Sequence, residues 1–329
     1  MSTGKNRKKI LVVGWMPQAG LEVLKKRDDI DYEILPLADV AASYHKKLGD
    51  ANAVTLGGTP YKQAELDVSP VMEVVARLGV GFDQVEVPAL SKRKIPLMTT
   101  GIANSVSVAE HAMYMLLASA RLTKRLDRLV REAAWHERLA DQPVDLAGKS
   151  ILVVGMGRIG SRTVRRCVAF EMDTYVLDPN ISAADIEKAG ARKVTDLEAI
   201  LPKVDFVSIH CPRSPETINM FDAEALACMK PDAFLVNTAR GGIVNEDALY
   251  TALTTGKLRG AGLDVLEREP PDLANKLLGL ENVILSPHMA GVTKESNDRM
   301  AIAVMENILS VFDGKPIVAH CVNKEIYGA

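Results

Sequence analysis

His288, Arg240 and a glutamate at 267 or 269 are the residues of this sequence best suited to chemistry. His288 lies in Leu285-Ser286-Pro287-His288-Met289-Ala290-Gly291, and Arg240 in Val236-Asn237-Thr238-Ala239-Arg240-Gly241-Gly242. The glutamates lie in Asp264-Val265-Leu266-Glu267-Arg268-Glu269-Pro270-Pro271. A histidine titrates near neutral pH and can take a hydroxyl proton. A carboxylate beside it fixes one tautomer and raises its pKa. A forked guanidinium suits a carboxylate and polarises a neighbouring oxygen. The set fits oxidation of a hydroxyl next to a carboxylate, in which a base takes the proton as hydride leaves. Each member also has a plain structural reading, and spacing alone leaves Glu267 and Glu269 in competition.

Hydride needs an acceptor, and a second motif supplies a place for one. Gly155-Met156-Gly157-Arg158-Ile159-Gly160 matches G-x-G-x-x-G. It follows an apolar run at 151–154 and precedes a helical stretch at 161–170. The first glycine permits a tight turn, the second lets backbone approach a pyrophosphate, and the third lets helix and strand pack closely. The helix N-terminus then faces the phosphates. Asp178, after the next strand at 174–177, is placed to accept hydrogen bonds from the ribose hydroxyls of NAD. Its charge opposes the 2′-phosphate of NADP, and Pro179-Asn180-Ile181 offers no arginine to offset it.

These residues must be held at strand ends. Short β-branched runs at 10–13, 151–154, 174–177, 206–209, 233–236, 262–265 and 283–285 alternate with helical stretches. Several are apolar throughout, as in parallel strands buried on both faces. The pattern predicts an α/β fold of two doubly wound parallel-sheet domains. Ile-Leu-Val-Val-Gly occurs at 10–14 and again at 151–155, each opening a βα unit. A long helix is expected over 107–122, and a last one over 294–312 with Thr293 as N-cap and Gly314 and Pro316 as stops. If that helix crosses back, residues 1–103 and 294–329 form a discontinuous substrate domain. Residues 104–293 then form a Rossmann domain inserted in it. The arm at 123–145 is rich in Arg, Asp and Glu; it is either a solvated helix or a dimer contact.

The chain has 329 residues, with 40 Lys and Arg against 42 Asp and Glu. So balanced a charge gives no global field for nucleic acid or an anionic membrane. The four cysteines form no C-x-x-C pair and sit at no metal-ligand spacing to histidine, so no metal is expected. They read as reduced thiols of a cytoplasmic protein. No apolar run approaches the roughly 20 residues of a membrane helix.

Taken together, the motifs resemble the NAD-dependent D-isomer-specific 2-hydroxyacid dehydrogenases, nearest the phosphoglycerate and hydroxypyruvate dehydrogenase branch. The resemblance runs from about Arg77 to Gly291. It implies Arg240 in N-x-x-R-G, Glu269 rather than Glu267 in D-V-x-x-x-E-P, and His288 in S-P-H-x-x-G as the catalytic set. It implies NAD as cofactor, catalysis in an interdomain cleft, and a homodimer built on the cofactor domain. Arg77-Leu78-Gly79-Val80-Gly81-Phe82-Asp83 resembles the family's substrate loop, with the N–H groups of Val80 and Gly81 on the substrate carboxylate. Arg77 and Arg138 are candidates for an anionic substrate tail, Arg138 reading more simply as solvated surface. Val108 would pack on the nicotinamide and Asp264 approach its carboxamide. His210 and Pro212 match a loop near the adenosine, so His210 is not expected to be catalytic. Arg158, Ile159, Thr217, Thr238, Ala239 and Gly291 complete the implied cofactor contacts.

Two departures stand out. Thr99 and Gly101 occupy places where the family often has asparagine and proline. Longer relatives carry a C-terminal regulatory domain, and feedback control through one is not expected here. Formate dehydrogenases of the same superfamily are expected to have glutamine at the Glu269 position, so Glu269 argues against that branch. A reading from another class is an NAD(H)-sensing binding protein, like the corepressors that share this fold; the intact Arg240, Glu269 and His288 favour an enzyme.

Overall fold

The computed structural model describes residues 7–328. The chain divides into two compact units. One runs to Asn104 and resumes at Val292; the other is Ser105–Gly291, inserted between those two parts.

The first unit is built on five parallel strands. They are β1 (Lys8–Val13), β2 (Ile30–Leu35), β3 (Ala53–Leu56), β4 (Val74–Arg77) and β5 (Leu97–Met98), in the order β2-β1-β3-β4-β5. Alternate residues serve opposite faces, as the two-residue period of a strand requires. Ile10 and Val12 pack with Ala301, Val304, Met305 and Ile308 of the Lys294–Phe312 helix. Leu11 and Val13 pack with Tyr44, Leu48 and Leu66 on the other face. The helix begins where the sequence predicts: the Thr293 hydroxyl accepts the Ser296 N–H at 3.0 Å. It ends before Gly314, at φ +69°.

The second unit carries seven parallel strands. They are β6 (Ser150–Val154), β7 (Asp173–Leu177), β8 (Arg192–Val194), β9 (Phe206–Ile209), β10 (Phe234–Asn237), β11 (Gly260–Leu263) and β12 (Val283–Leu285), in the order β12-β11-β10-β9-β6-β7-β8. Ile151 and Val153 meet Met113, Met115 and Leu116 of the Ser105–Ala120 helix. Leu152 and Val154 meet Leu226, Leu249 and Leu253 on the opposite face. The order reverses between β6 and β9, and open α/β sheets bind ligands past the C-terminal ends of the strands at such a switch point.

Several boundaries differ from the sequence reading, three of them at elements near the site. The long helix is Ser105–Ala120 rather than 107–122, and Leu122 sits in the left-handed region at φ +51°. β10 starts at Phe234, not 233. β11 starts at Gly260 instead of 262, so Val265 falls beyond its end. Its sequence is Gly-Ala-Gly-Leu because the helix lies close against it: a Cβ on Gly262 would come within 2.9 Å of the Met115 Cβ. Glycine lowers strand propensity, which hid the start.

Candidate functional site

The glycine turn follows β6, and each glycine has a local reason. Gly155 has φ +89°, and a Cβ there would lie 2.8 Å from the Cys211 backbone nitrogen. A Cβ on Gly160 would lie 1.9 Å from the Gly155 carbonyl oxygen. A Cβ on Gly157 would meet nothing within 4 Å, so open space lies over that residue. Turn and helix therefore lock together while the middle glycine leaves room above the Gly160–Ala169 helix N-terminus. Arg158 and Ile159 sit within this turn.

Asp178 follows β7 and is buried. One carboxylate oxygen accepts the Met156 N–H at 2.7 Å, the other the Asn180 N–H at 2.8 Å. It ties the glycine turn to the end of β7, and a carboxylate has further lone-pair positions for ribose hydroxyls. His210 follows β9. Its Nε2 lies 2.9 Å from the Ser208 hydroxyl, while its buried Nδ1 has no partner. Burial pushes its pKa down to about 4, so the ring is neutral near pH 7 and no acid at this end. Pro212 and Thr217 close the following loop, the Thr217 hydroxyl donating to the Pro212 carbonyl at 2.7 Å. The Thr238 hydroxyl is buried without a partner, beside the half-buried Ala239. Orphaned polar atoms at this edge of the sheet, with the space over Gly157, suit a polar ligand such as a dinucleotide.

Arg240 stands on a turn after β10. Asn237 clamps that turn: its Nδ2 donates to the Arg240 carbonyl at 2.8 Å, and its Oδ1 accepts the Ala239 N–H at 3.0 Å. Gly241 is required beside it, since a Cβ would lie 1.9 Å from the Leu266 carbonyl oxygen. The N-x-x-R-G pattern is therefore a clamp, a presented cation and a close backbone crossing.

Glu269 and His288 meet. Nδ1 of His288 lies 2.7 Å from Oε2 of Glu269, whose Oε1 accepts the Leu266 N–H at 3.0 Å. Glu267 turns elsewhere, accepting the Glu246 N–H at 3.1 Å. His288 has φ +55°, in the left-handed region. The hydrogen bond to Glu269 raises its pKa above the ordinary histidine value, against burial and the Arg240 charge. For Glu269, burial is the largest influence and acts upward. It is outweighed by the hydrogen bonds from His288 and Leu266 together with the charges of His288 and Arg240, so the carboxyl lies below its ordinary value. A carboxylate on Nδ1–H leaves Nε2 as the nitrogen that exchanges a proton.

Asp264 supports the histidine from beneath and is 1% exposed. Its carbonyl accepts the His288 N–H at 2.8 Å. Its carboxylate accepts the N–H groups of Met289 at 2.7 Å and Ala290 at 2.9 Å, and the Ser286 hydroxyl. These bonds make Asp264 the clamp of the His288 loop that ends at Gly291. His111 joins the clamp, its Nε2 lying 2.9 Å from the Ser286 oxygen. Nothing in the sequence around His111 marks it as part of the site. Its partner is 175 residues away, and no local signal links them. Val108, one turn earlier on that helix, is buried.

In the first unit, Arg77 ends β4. Its Nε donates to the Gly81 carbonyl at 2.7 Å and its Nη1 to the Leu56 carbonyl at 3.3 Å. It braces its own loop. Gly79 has φ +139°, and among the described residues no acceptor takes the N–H of Val80 or Gly81. That pair suits a carboxylate. Arg138, in the second unit, lies over the Trp135 ring on an exposed turn.

Residues 113–290 match the family model described as D-isomer specific 2-hydroxyacid dehydrogenase, NAD binding domain. A glyoxylate reductase of Korarchaeum cryptofilum is 36% identical over 97% of this chain and 96% of its own. A D-3-phosphoglycerate dehydrogenase of Archaeoglobus fulgidus is 38% identical over 75% of this chain, but only 46% of its own length is covered. The chain thus spans about half the length of that relative. A D-lactate dehydrogenase of Aquifex aeolicus, solved with NAD and lactic acid, superposes with a TM-score of 0.85. It is 26% identical over 95% of this chain and 98% of the other.

Proposed function

Because this chain belongs to the D-isomer-specific 2-hydroxyacid dehydrogenase family, we propose that it transfers hydride between NAD(H) and C2 of a small D-2-hydroxy acid and its 2-oxo acid. The observation that carries this reading is the 2.7 Å contact between His288 Nδ1 and Glu269, with the Arg240 charge acting on both. Bound NAD supplies the hydride acceptor, and NADH the donor. In reduction, His288 as imidazolium gives the Nε2 proton to the C2 oxygen. In oxidation, neutral His288 takes the hydroxyl proton at Nε2. Glu269 holds the ring and balances its charge. Arg240 draws the C2 oxygen and the carboxylate to its fork.

The second unit serves as the NAD-binding domain, with Gly155, Gly157 and Gly160 at the pyrophosphate and Asp178 at the ribose. The first unit serves the substrate, with the Val80 and Gly81 amides on its carboxylate. Asp178 favours NAD over NADP. Glyoxylate, hydroxypyruvate and 3-phosphohydroxypyruvate share the carboxylate and C2 oxygen that this machinery needs. A sensing protein would have no use for a base held in one tautomer, which argues against that alternative.

Two further features belong to this reading. Val130, Trp135 and Leu139 are exposed apolar residues on the arm of the second unit, consistent with a homodimer formed through the cofactor domain. Sedimentation equilibrium showing a monomer at micromolar concentration would refute that dimer. Four free cysteines fit a cytoplasmic location, and no helix among the described residues is long and apolar enough to cross a membrane.

The direct test is NADH oxidation with glyoxylate, hydroxypyruvate, 3-phosphohydroxypyruvate, pyruvate and phenylpyruvate. Turnover should appear with at least one, and His288→Ala should lower it by about 10²–10⁴-fold with NADH affinity nearly unchanged. Full turnover in His288→Ala would refute the assigned base.

A further inference from the structure

The first unit has its own switch point. Its order β2-β1-β3-β4-β5 reverses between β1 and β3, and that is where a sheet of this order opens a crevice for a ligand. β1 leads into Gly14-Trp15-Met16-Pro17 and β3 into Gly57-Gly58-Thr59-Pro60. Trp15 is 65% exposed, although its neighbour Met16 is buried. A Cβ on Gly57 or Gly58 would meet nothing within 4 Å. One side of the crevice therefore carries an uncovered indole and the other carries open space.

Exposed apolar residues continue along that edge. All five strands run parallel, so the segments after them line one edge in strand order. Leu37 follows β2, Phe82 follows β4 and Ile102 follows β5, and all three are exposed. The segments 14–17, 57–60, 78–82 and 99–104 contain no lysine or arginine, and Arg299, which reaches the last of them from the Lys294–Phe312 helix, gives its Nε to the Ala103 carbonyl at 2.8 Å. Arg77, at the end of β4, directs its guanidinium to the carbonyls of Gly81 and Leu56. Asp83, directly after Phe82, adds a negative charge. A phosphorylated substrate tail needs a cation aimed at it; an aromatic or branched aliphatic tail needs an apolar face of this kind.

Resting on the dehydrogenase reading above, we infer that the substrate is a 2-oxo acid with an apolar, uncharged side chain, and that Trp15 is the residue that selects it. Glyoxylate has no side chain and serves as the internal reference. Initial rates of NADH oxidation are measured with phenylpyruvate, 4-methyl-2-oxopentanoate, 3-phosphohydroxypyruvate and glyoxylate. The two apolar substrates should exceed 3-phosphohydroxypyruvate in kcat/KM by about tenfold or more. Trp15→Ala should lower the phenylpyruvate-to-glyoxylate ratio of kcat/KM by about tenfold. Gly57→Arg, placed in open space, should raise 3-phosphohydroxypyruvate relative to phenylpyruvate. A preference for 3-phosphohydroxypyruvate in the unaltered protein, or an unchanged ratio in Trp15→Ala, overturns the inference while turnover of glyoxylate keeps the dehydrogenase reading. No turnover of any of the four, with NADH bound, overturns both.

Discussion

Nε2 of His111 lies 2.9 Å from the hydroxyl oxygen of Ser286, and Ser286 gives its own hydrogen to Asp264. A hydroxyl has one hydrogen to give, so His111 must be the donor in the first contact. The result is a directed chain from His111 through Ser286 to the carboxylate that holds the Met289 and Ala290 N–H groups. His288, the proposed base, thus stands on a loop fixed by a residue of a distant helix.

His111→Phe should break that chain at its first donor. Ser286 could then turn its hydrogen away from Asp264, loosening the segment that holds His288 in its left-handed conformation. The expected outcome is a fall in kcat of about tenfold, equivalent to about 1.4 kcal/mol in the barrier, with KM and the NADH dissociation constant little changed. Steady-state kinetics and a fluorescence titration with NADH check it. His111→Gln, which keeps a donor, should recover part of kcat. Equal losses in the two variants would mean that ring packing, not the hydrogen bond, is what matters.

The Glu269–His288 pair should set the pH dependence. Its hydrogen bond raises the histidine pKa, so the imidazolium needed for reduction persists to higher pH than for a free histidine. The kcat/KM for a 2-oxo acid should be level at low pH and fall as pH rises through that raised value. Glu269→Gln keeps a hydrogen-bond acceptor but removes the charge. Its falling limb should move to lower pH, a shift that pH-rate profiles from about pH 5 to 10 would reveal. The stability signs agree. The raised His288 value contributes stability that is complete below the unfolded histidine value and lost as pH rises through the folded one. The lowered Glu269 value contributes stability above the unfolded carboxyl value and is lost as pH falls. An unmoved limb in Glu269→Gln would show that another group titrates there.

Much of this arrangement was legible because it is local. Thr293 caps a helix whose ends, Lys294 and Phe312, follow from a cap, an apolar period and a glycine stop. The glycine motif after β6 could be placed because an apolar run preceded it and a helical stretch followed. What was hidden depended on contacts remote in sequence. β11 has glycine at 262 because of a helix more than a hundred residues earlier, and His111 matters because of Ser286. β2 is an edge strand of mixed burial, Ile-Asp-Tyr-Glu-Ile-Leu, which does not read as an apolar run. Composition could not separate Glu267 from Glu269; the separation lies in which way each side chain turns after Leu266.

Gly241 gives a prediction about the turn beneath Arg240. A Cβ there would sit 1.9 Å from the Leu266 oxygen and 2.7 Å from the Glu267 nitrogen, both backbone atoms that cannot swing aside. Gly241→Ala must therefore push apart the Arg240 turn and the segment carrying Glu269. A loss of stability of about 2 kcal/mol or more is expected, with activity falling further than stability accounts for. Denaturant unfolding alongside kinetics at a temperature where the variant is folded separates the two effects. A variant with unaltered stability would mean that the two segments part without cost.

Asp178 carries two loads, and a substitution must be read with both in view. Its carboxylate accepts the Met156 and Asn180 N–H groups, and the proposed function adds the ribose hydroxyls of NAD. Asp178→Ala leaves two backbone donors without their acceptor, so weaker NADH binding alone could come from a distorted turn. The ratio of NADPH to NADH dissociation constants is the informative quantity. A distorted turn weakens both cofactors alike because they share the pyrophosphate. Removing the carboxylate removes repulsion from the 2′-phosphate only in NADPH. We expect NADH binding to weaken by about tenfold or more and the preference over NADPH to narrow by a similar factor. Fluorescence titrations with both cofactors at fixed ionic strength measure it. A constant ratio would place the ribose away from Asp178 and leave that residue as a brace for the glycine turn.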